Sequence, residues 1–333
     1  MNLLRRAFLK HSVASLAVLP FLRSTKAYAL TMGNAKFVDV DGIRTRYFEG
    51  GSGEAMVLVH GGHFGSTSSA DGWANIFDHL ASHFHVYALD KLGNGYTDNP
   101  RSDAHYTMEA VIRHVYRFME TLGIEKVHLV GHSRGALPAA RIATDHPEMV
   151  ENLILFNSNT LAPDDPNVPS RTTVTQTSAP RTPTKESLLS SLSRTAYRDY
   201  WTDDYVEARL RIAVLPKVKE AEEKLKLLTS RWVELNSEKV KETPRLETRW
   251  WYYELKRETL SRIRAGRLTR PTLIIWGLND PSVHYTLGMS LYRIISSVVD
   301  RARLHFFNQC GHSPYREYPD EVSRLVVDFL KNS

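Results

Sequence analysis

The residues most suited to chemistry in this chain form the run Gly131-His132-Ser133-Arg134-Gly135, directly after the apolar stretch Lys126-Val127-His128-Leu129-Val130. The pattern is G-x-S-x-G, and its context is strand, sharp turn, helix. Only glycine leaves room for so tight a reversal, and the turn lifts the Ser133 hydroxyl clear of the sheet. A serine hydroxyl is a weak nucleophile, so it needs a base held in place by an acid. Asp280, after the apolar run Thr272-Leu273-Ile274-Ile275-Trp276-Gly277, and His312, after Arg303-Leu304-His305-Phe306-Phe307, supply them in order. Ser133 would attack a carbonyl carbon. His312 would take its proton and return it to the leaving group, and Asp280 would orient the imidazole. The short apolar run Ala55–Val59 ends in His60-Gly61-Gly62-His63. The backbone N–H groups of Gly62 and Arg134 would face the developing oxyanion.

Other assignments are weaker. A lone G-x-S-x-G also fits a serine that merely caps the next helix. An acid after the preceding strand would fall near Asn157, which carries no charge. His305 lies inside a strand and His284 starts a helix, whereas His312 lies in a loop that can reach the serine. There is no H-E-x-x-H and only one cysteine, Cys310, read as a small buried residue beside the histidine loop. No G-x-G-x-x-G follows the first strand, so neither a metal nor a dinucleotide cofactor is expected.

These residues need a scaffold. The stretch 37–48 reads as a hairpin around Asp41-Gly42. Strands at 56–60, 84–89, 126–130 and 151–156 then alternate with helices around 73–81, 107–122 and 133–145. A strand at 303–307 and a helix at 319–331 complete the pattern. Such alternation predicts an α/β fold with a mostly parallel, doubly wound sheet, whose ligands bind beyond the carboxyl ends of the strands. The loop holding Asp90, Gly93, Gly95 and Asp98 reads as a tight structural connection. The alternation breaks between about 160 and 268. There, 162–185 is rich in Pro, Thr, Ser and Asp, and helices are expected at 186–200, 203–214, 217–235 and 245–264. The cluster Trp250-Trp251-Tyr252-Tyr253 fits either packing between these helices or an apolar wall over the site.

The chain has 333 residues and a net charge of +6. Arg5, Arg6, Lys10, Arg23 and Lys26 supply five positive charges before Leu30, with no acid among them. The remainder is nearly neutral, which removes the electrostatic case for a nucleic-acid partner. Arg5-Arg6-Ala7-Phe8-Leu9-Lys10, an apolar stretch from Val13 to Leu22 and Ala27-Tyr28-Ala29 match a twin-arginine export signal over 1–29. This predicts a periplasmic or secreted protein. The apolar stretch is too short to span a bilayer, so no stable membrane insertion is expected.

The residues together resemble the α/β-hydrolase fold and, within it, the meta-cleavage product hydrolases. Those enzymes cut a carbon–carbon bond in vinylogous 1,5-diketones made by ring cleavage of aromatic compounds. The resemblance runs over most of 36–331. It is carried by His60-Gly61-Gly62, Trp73-Ala74-Asn75, Gly131 to Gly135, Trp276-Gly277-Leu278-Asn279-Asp280 and Cys310-Gly311-His312, with Glu186-Ser187-Leu188-Leu189 to Tyr197 and Thr202 to Arg209 in the insertion. It implies a hydrolase core at 30–159 and 269–333, a helical lid at 160–268 and a small-molecule substrate. It also implies that Arg209 helps bind the dienone and that Asn75 lies in the polar part of the pocket. Three positions depart from the family. His132 replaces the usual Asn, Arg134 the frequent Met, and Ser313-Pro314 the usual Trp after the catalytic histidine. A carboxylesterase or lactonase with the same triad is therefore the alternative, and a non-catalytic binding protein on this fold a minor one.

Overall fold

In the computed structural model, residues 32–165, 183–244 and 246–332 are described. The expected export signal at 1–29 and most of the Pro/Ser/Thr-rich stretch lie outside them.

Eight strands form one sheet: β1 Lys36–Val40, β2 Ile43–Gly50, β3 Ala55–Val59, β4 His85–Leu89, β5 Val127–His132, β6 Val150–Phe156, β7 Thr272–Gly277 and β8 Ala302–Phe307. Their order is β1-β2-β4-β3-β5-β6-β7-β8. The first two pairings are antiparallel, and every pairing from β4 to β8 is parallel. Asp41 and Gly42 close the β1–β2 hairpin, both with positive φ (51° and 82°), as a two-residue turn between right-twisted strands requires.

The central strands are apolar on both faces because helices cover both. Val57, Val59, Leu89 and Leu129 pack with the helices Met108–Thr121, Ala136–Asp145 and Tyr285–Ser296. Met56, Leu58, Val86, Ala88 and Val130 pack on the opposite face with Ala74–Ala81 and Pro319–Lys331. Parallel strands buried in this way read as continuous apolar runs. After β3 the chain winds one way to β4, and β5 then lies on the other side of β3. The carboxyl ends of β3 and β5 thus open a crevice at the point where the strand order reverses.

Between β6 and β7 the chain forms the helices Lys185–Ser193, Asp203–Ala213, Pro216–Leu235, Ser237–Glu242, Leu246–Arg249 and Tyr253–Arg264. Two of them are shorter than their sequence periodicity predicts. The first stops at Ser193 because the following backbone is engaged elsewhere. Thr195 O accepts from His312 N at 2.8 Å, and the Tyr197 and Arg198 amides donate to Glu317 Oε2. The expected helix at 245–264 breaks around Trp250–Tyr252, where Trp251 O accepts from Met108 N at 3.0 Å and Trp251 and Tyr252 turn inward. Among the described residues, no helix is long and apolar enough to cross a membrane.

Candidate active site

Ser133 sits immediately after β5 with φ 52°, a conformation that costs a non-glycine residue strain. The two flanking glycines make the turn possible. A Cβ on Gly131 would lie 2.6 Å from Ala136 Cα, and one on Gly135 would lie 2.2 Å from Val59 O. The turn therefore presses the start of the next helix against the end of β3. Ser158 Oγ steadies it by donating to Ser133 O at 2.7 Å.

The chain brings the three expected side chains together. His312 Nε2 lies 3.0 Å from Ser133 Oγ, and His312 Nδ1 lies 2.7 Å from Asp280 Oδ2. The Asp280 side chain is fully buried, and its Oδ1 accepts from the amides of Ser282 (2.7 Å) and Val283 (3.0 Å). Because Asp280 accepts from Nδ1–H, the bare Nε2 faces the serine, the tautomer a general base needs.

One participant was not foreseen in its role. Asn157, dismissed as an acid, donates from Nδ2 to Asp280 Oδ2 at 2.7 Å while its Oδ1 accepts from Gly277 N at 3.3 Å. It adopts φ 28°, which asparagine tolerates better than most residues. Every oxygen of the Asp280 carboxylate is thus met by donors, so the charge stays stable although buried.

The loop after β3 adjoins Ser133: a Cβ on Gly61 would lie 2.9 Å from Ser133 Cβ. Gly62 has φ 85°, and a Cβ there would lie 2.5 Å from Ser66 Oγ and Ser68 Cβ, so only glycine fits. The Gly62 and Arg134 amides make no hydrogen bond among the described residues.

The other sequence candidates take varied places. Arg209 donates to Thr67 Oγ1 (2.6 Å) and Tyr205 OH (3.0 Å). Asn75 Nδ2 donates to Arg316 O at 3.3 Å. Arg316 in turn donates to Gly72 O and Tyr200 OH, with its guanidinium over the rings of Tyr200, Tyr205 and Tyr315. Arg209 and Asn75 both adjoin this cluster, and neither is hydrogen-bonded to Ser133 among the described residues. His305 is exposed on β8 and His284 caps the helix Tyr285–Ser296. Cys310 is buried, which pushes its thiol well above the usual range. Trp250 stacks on Trp232 at 6.0 Å, whereas Trp251 faces Phe64 at 5.7 Å and the Arg134 guanidinium at 5.9 Å. Trp250 therefore packs between the inserted helices, while Trp251 faces the side chain of the residue after Ser133.

The glutamate at 317 was also unforeseen. It is buried and accepts from Gly311 N at 2.9 Å as well as from Tyr197 and Arg198. Burial nevertheless holds its carboxyl above the ordinary range. It ties the His312 loop to the inserted helices.

Comparison with known proteins agrees with this fold. Residues 54–319 match the alpha/beta hydrolase fold family. A 2-hydroxy-6-oxo-6-phenylhexa-2,4-dienoate hydrolase of Comamonas testosteroni is 30% identical over 320 residues, covering 91% of this chain and 98% of that one. A 2-hydroxy-6-oxononadienedioate/2-hydroxy-6-oxononatrienedioate hydrolase of Cupriavidus pinatubonensis is 29% identical, covering 90% and 96%. The solved structure of a meta-cleavage product hydrolase from Pseudomonas fluorescens superposes with a TM-score of 0.67 at 26% identity, covering 89% and 97%. The chain belongs to the α/β-hydrolase fold family and, within it, is similar to the meta-cleavage product hydrolases.

Proposed function

We propose that this protein hydrolyses the carbon–carbon bond of an anionic, vinylogous 1,5-diketone, with Ser133 as nucleophile. The observation that carries the reading is the continuous chain Ser133–His312–Asp280 at 3.0 and 2.7 Å in a hydrolase whose named relatives act on dienoates and dienedioates. Ser133 Oγ adds to the ketone carbon as His312 takes its proton. The Gly62 and Arg134 amides receive the oxyanion, a contribution of roughly 3–4 kcal/mol per donor. Collapse breaks the carbon–carbon bond. The released electron pair spreads through the conjugated dienoate, which is why carbon can leave, and the proton from His312 completes that fragment. Water activated by His312 then frees the acyl group. The helical insertion acts as the lid, and Arg209 is the cation for the substrate carboxylate, with Asn75 supporting the polar wall.

Ester or lactone hydrolysis is the second reading. It is favoured by Ser313, a small polar residue, in the place where the family carries a tryptophan. A side-by-side assay of a ring-cleavage dienone and short 4-nitrophenyl esters separates the two. The expected kcat/KM is about 100-fold higher for the dienone, a preference of roughly 3 kcal/mol in the transition state. Arg209→Ala should damage dienone turnover far more than ester turnover, because only the dienone loses a charge-assisted contact. Ester turnover with no dienone turnover would refute the carbon–carbon reading. Failure of a fluorophosphonate to label Ser133 in folded protein would refute the serine mechanism itself.

A further inference from the structure

Burying a cation is costly unless an acid or a full set of acceptors meets it. Among the described residues, two cations near the oxyanion loop, the buried Lys91 and the half-buried Arg134, meet neither. Lys91 is 2% exposed and follows the buried Asp90, yet that carboxylate is already taken. Asp90 accepts from Arg46 (2.6 and 3.1 Å), Ala70 N (2.7 Å) and Tyr96 N (2.8 Å). The Lys91 ammonium donates once, to Gly62 O at 2.9 Å. Two of its three donors have no partner among the described residues. The Arg134 guanidinium makes no hydrogen bond or ion pair there either. Its Nε is buried without a partner among the described residues, and its guanidinium lies by the Trp251 ring.

Among the described residues, no free acid faces the pair. Glu222 pairs with Lys226 at 2.8 Å, and Asp164 pairs with Arg249 (3.3 Å) and Lys256 (3.0 Å). His63 is held neutral, its ring pushed down to about 4 by burial and then by the Arg134 charge. The buried Tyr252, edge-on to Trp251, offers a further donor. A lysine needed only to brace Gly62 O would be an expensive choice, since any neutral donor would serve.

The placement is as informative as the missing partners. Arg134 carries one oxyanion amide on its own backbone, and Lys91 grips the carbonyl of the residue that carries the other. A substrate carbonyl lodged between those amides brings its adjoining arm within reach of both cations. Arg209 belongs to a different group, bonded to Thr67 and Tyr205 and neighbouring Arg316 and Tyr200. No hydrogen bond or ring contact among the described residues joins the two groups. Each group therefore offers its own set of donors to a carboxylate.

We propose that Lys91 and Arg134 form a second carboxylate subsite, so that the substrate is a dianion carrying an acid on the arm that lies against Trp251. The proposal rests on Ser133 being the nucleophile, and it refines the substrate class of that site. A carboxylate there would accept a two-pronged contact from Arg134, one N–H from Lys91 and the Tyr252 hydroxyl.

Two measurements test it, neither using a dienone. Calorimetric titration of Ser133→Ala with glutarate and with butyrate should show glutarate binding at least about 10-fold tighter, and adding Lys91→Met or Arg134→Met should abolish that preference. With Ser133 intact, mono-(4-nitrophenyl) glutarate should have a KM about 10-fold below that of 4-nitrophenyl butyrate. Either variant should bring the ratio close to one through KM, not kcat. If Lys91 and Arg134 only shape the oxyanion loop, both esters lose kcat alike and the preference survives, which overturns the proposal. Absence of any glutarate preference in the unsubstituted site overturns it too. A protein that turns over no dienone but shows the glutarate preference loses the carbon–carbon reading and keeps this one.

Discussion

Replacing Asn157 with aspartate tests the support beneath the triad more sharply than any triad substitution. The change is nearly isosteric, and aspartate, like asparagine, tolerates the φ of 28° at this position. It converts the donor at 2.7 Å from Asp280 Oδ2 into an acceptor, in a residue that is 0% exposed. Two ionised carboxylates at that distance repel by about 6 kcal/mol at an effective dielectric constant of about 20. In the unfolded chain the new aspartate ionises near pH 3.9 at no such cost. Holding one proton in the folded pair costs about 1.4 kcal/mol for each pH unit above that value. At pH 7.5 this is about 5 kcal/mol, less than the repulsion, so the folded variant keeps the proton. The native state then binds one proton more than the unfolded state, and stability must fall as pH rises.

Denaturant titration of the parent and Asn157→Asp at pH 4.5, 6 and 7.5 reads this directly. The expected loss is below about 1 kcal/mol at the lowest pH and about 5 kcal/mol at the highest. Turnover should suffer less than stability. The shared proton leaves one negative charge opposite His312, so the rate falls far less than the roughly 10⁴-fold expected of Asp280→Asn. A loss that stays constant within about 1 kcal/mol across this range would refute the proposed contact between Asn157 and the acid.

Three further outcomes are expected. Gly135→Ala places a Cβ 2.2 Å from Val59 O and 2.6 Å from His60 O; backbone at and just after the end of a central strand cannot yield, so denaturant titration should show a loss above about 3 kcal/mol. Lys91→Met should stabilise the protein in a pH-dependent way. Burial first, then the Arg134 charge, pushes Lys91 down to about 7 against the pull of Asp90. The cost of its charge is full below that pH and fades toward the unfolded value of 10.5. The gain from methionine should shrink by about 1.4 kcal/mol per unit across that window, and a gain that grows with pH would count against it. N-terminal sequencing of the protein from cells should find a mature start at Leu30, and a retained Met1 in a cytosolic fraction would reject the export signal.

The parts of the site written in local pattern were legible in the sequence. A glycine-bracketed serine after an apolar run, and loop residues following two more runs, fix where β5, β7 and β8 end and what they present. Less legible were features set by distant partners. The backbone at 195–198 leaves the helix because His312 and Glu317, more than a hundred residues away, capture its hydrogen bonds. The turn at Trp251 is held by Met108 N for the same reason. Asn157 could be judged as an acid from sequence, but not as the group that holds one. Lys91 lies in a stretch that reads as a structural connection, and so it is, through Asp90 and Arg46. Its burial follows only from the Gly62 loop closing against it.

The departure at position 132 becomes intelligible through the same kind of contact. A histidine beside the proposed nucleophile could compete with His312 for the serine proton, and its chemistry has to be silenced. Both of its nitrogens are committed. Nε2–H donates to His312 O at 2.9 Å, because a carbonyl can only accept, and Nδ1 therefore accepts from Tyr315 OH at 3.1 Å. Tyr315 is stacked on Trp73 at 4.2 Å. Burial, and then the nearby His312 and Arg316, hold the ring well below the ordinary imidazole range, so it stays neutral. His132 thus lacks a free lone pair for Ser133 and instead pins the backbone of the residue that has one. In the proposed triad the proton path is left intact, and a buried polar chain of His132 and Tyr315 holds the backbone of His312 from beneath.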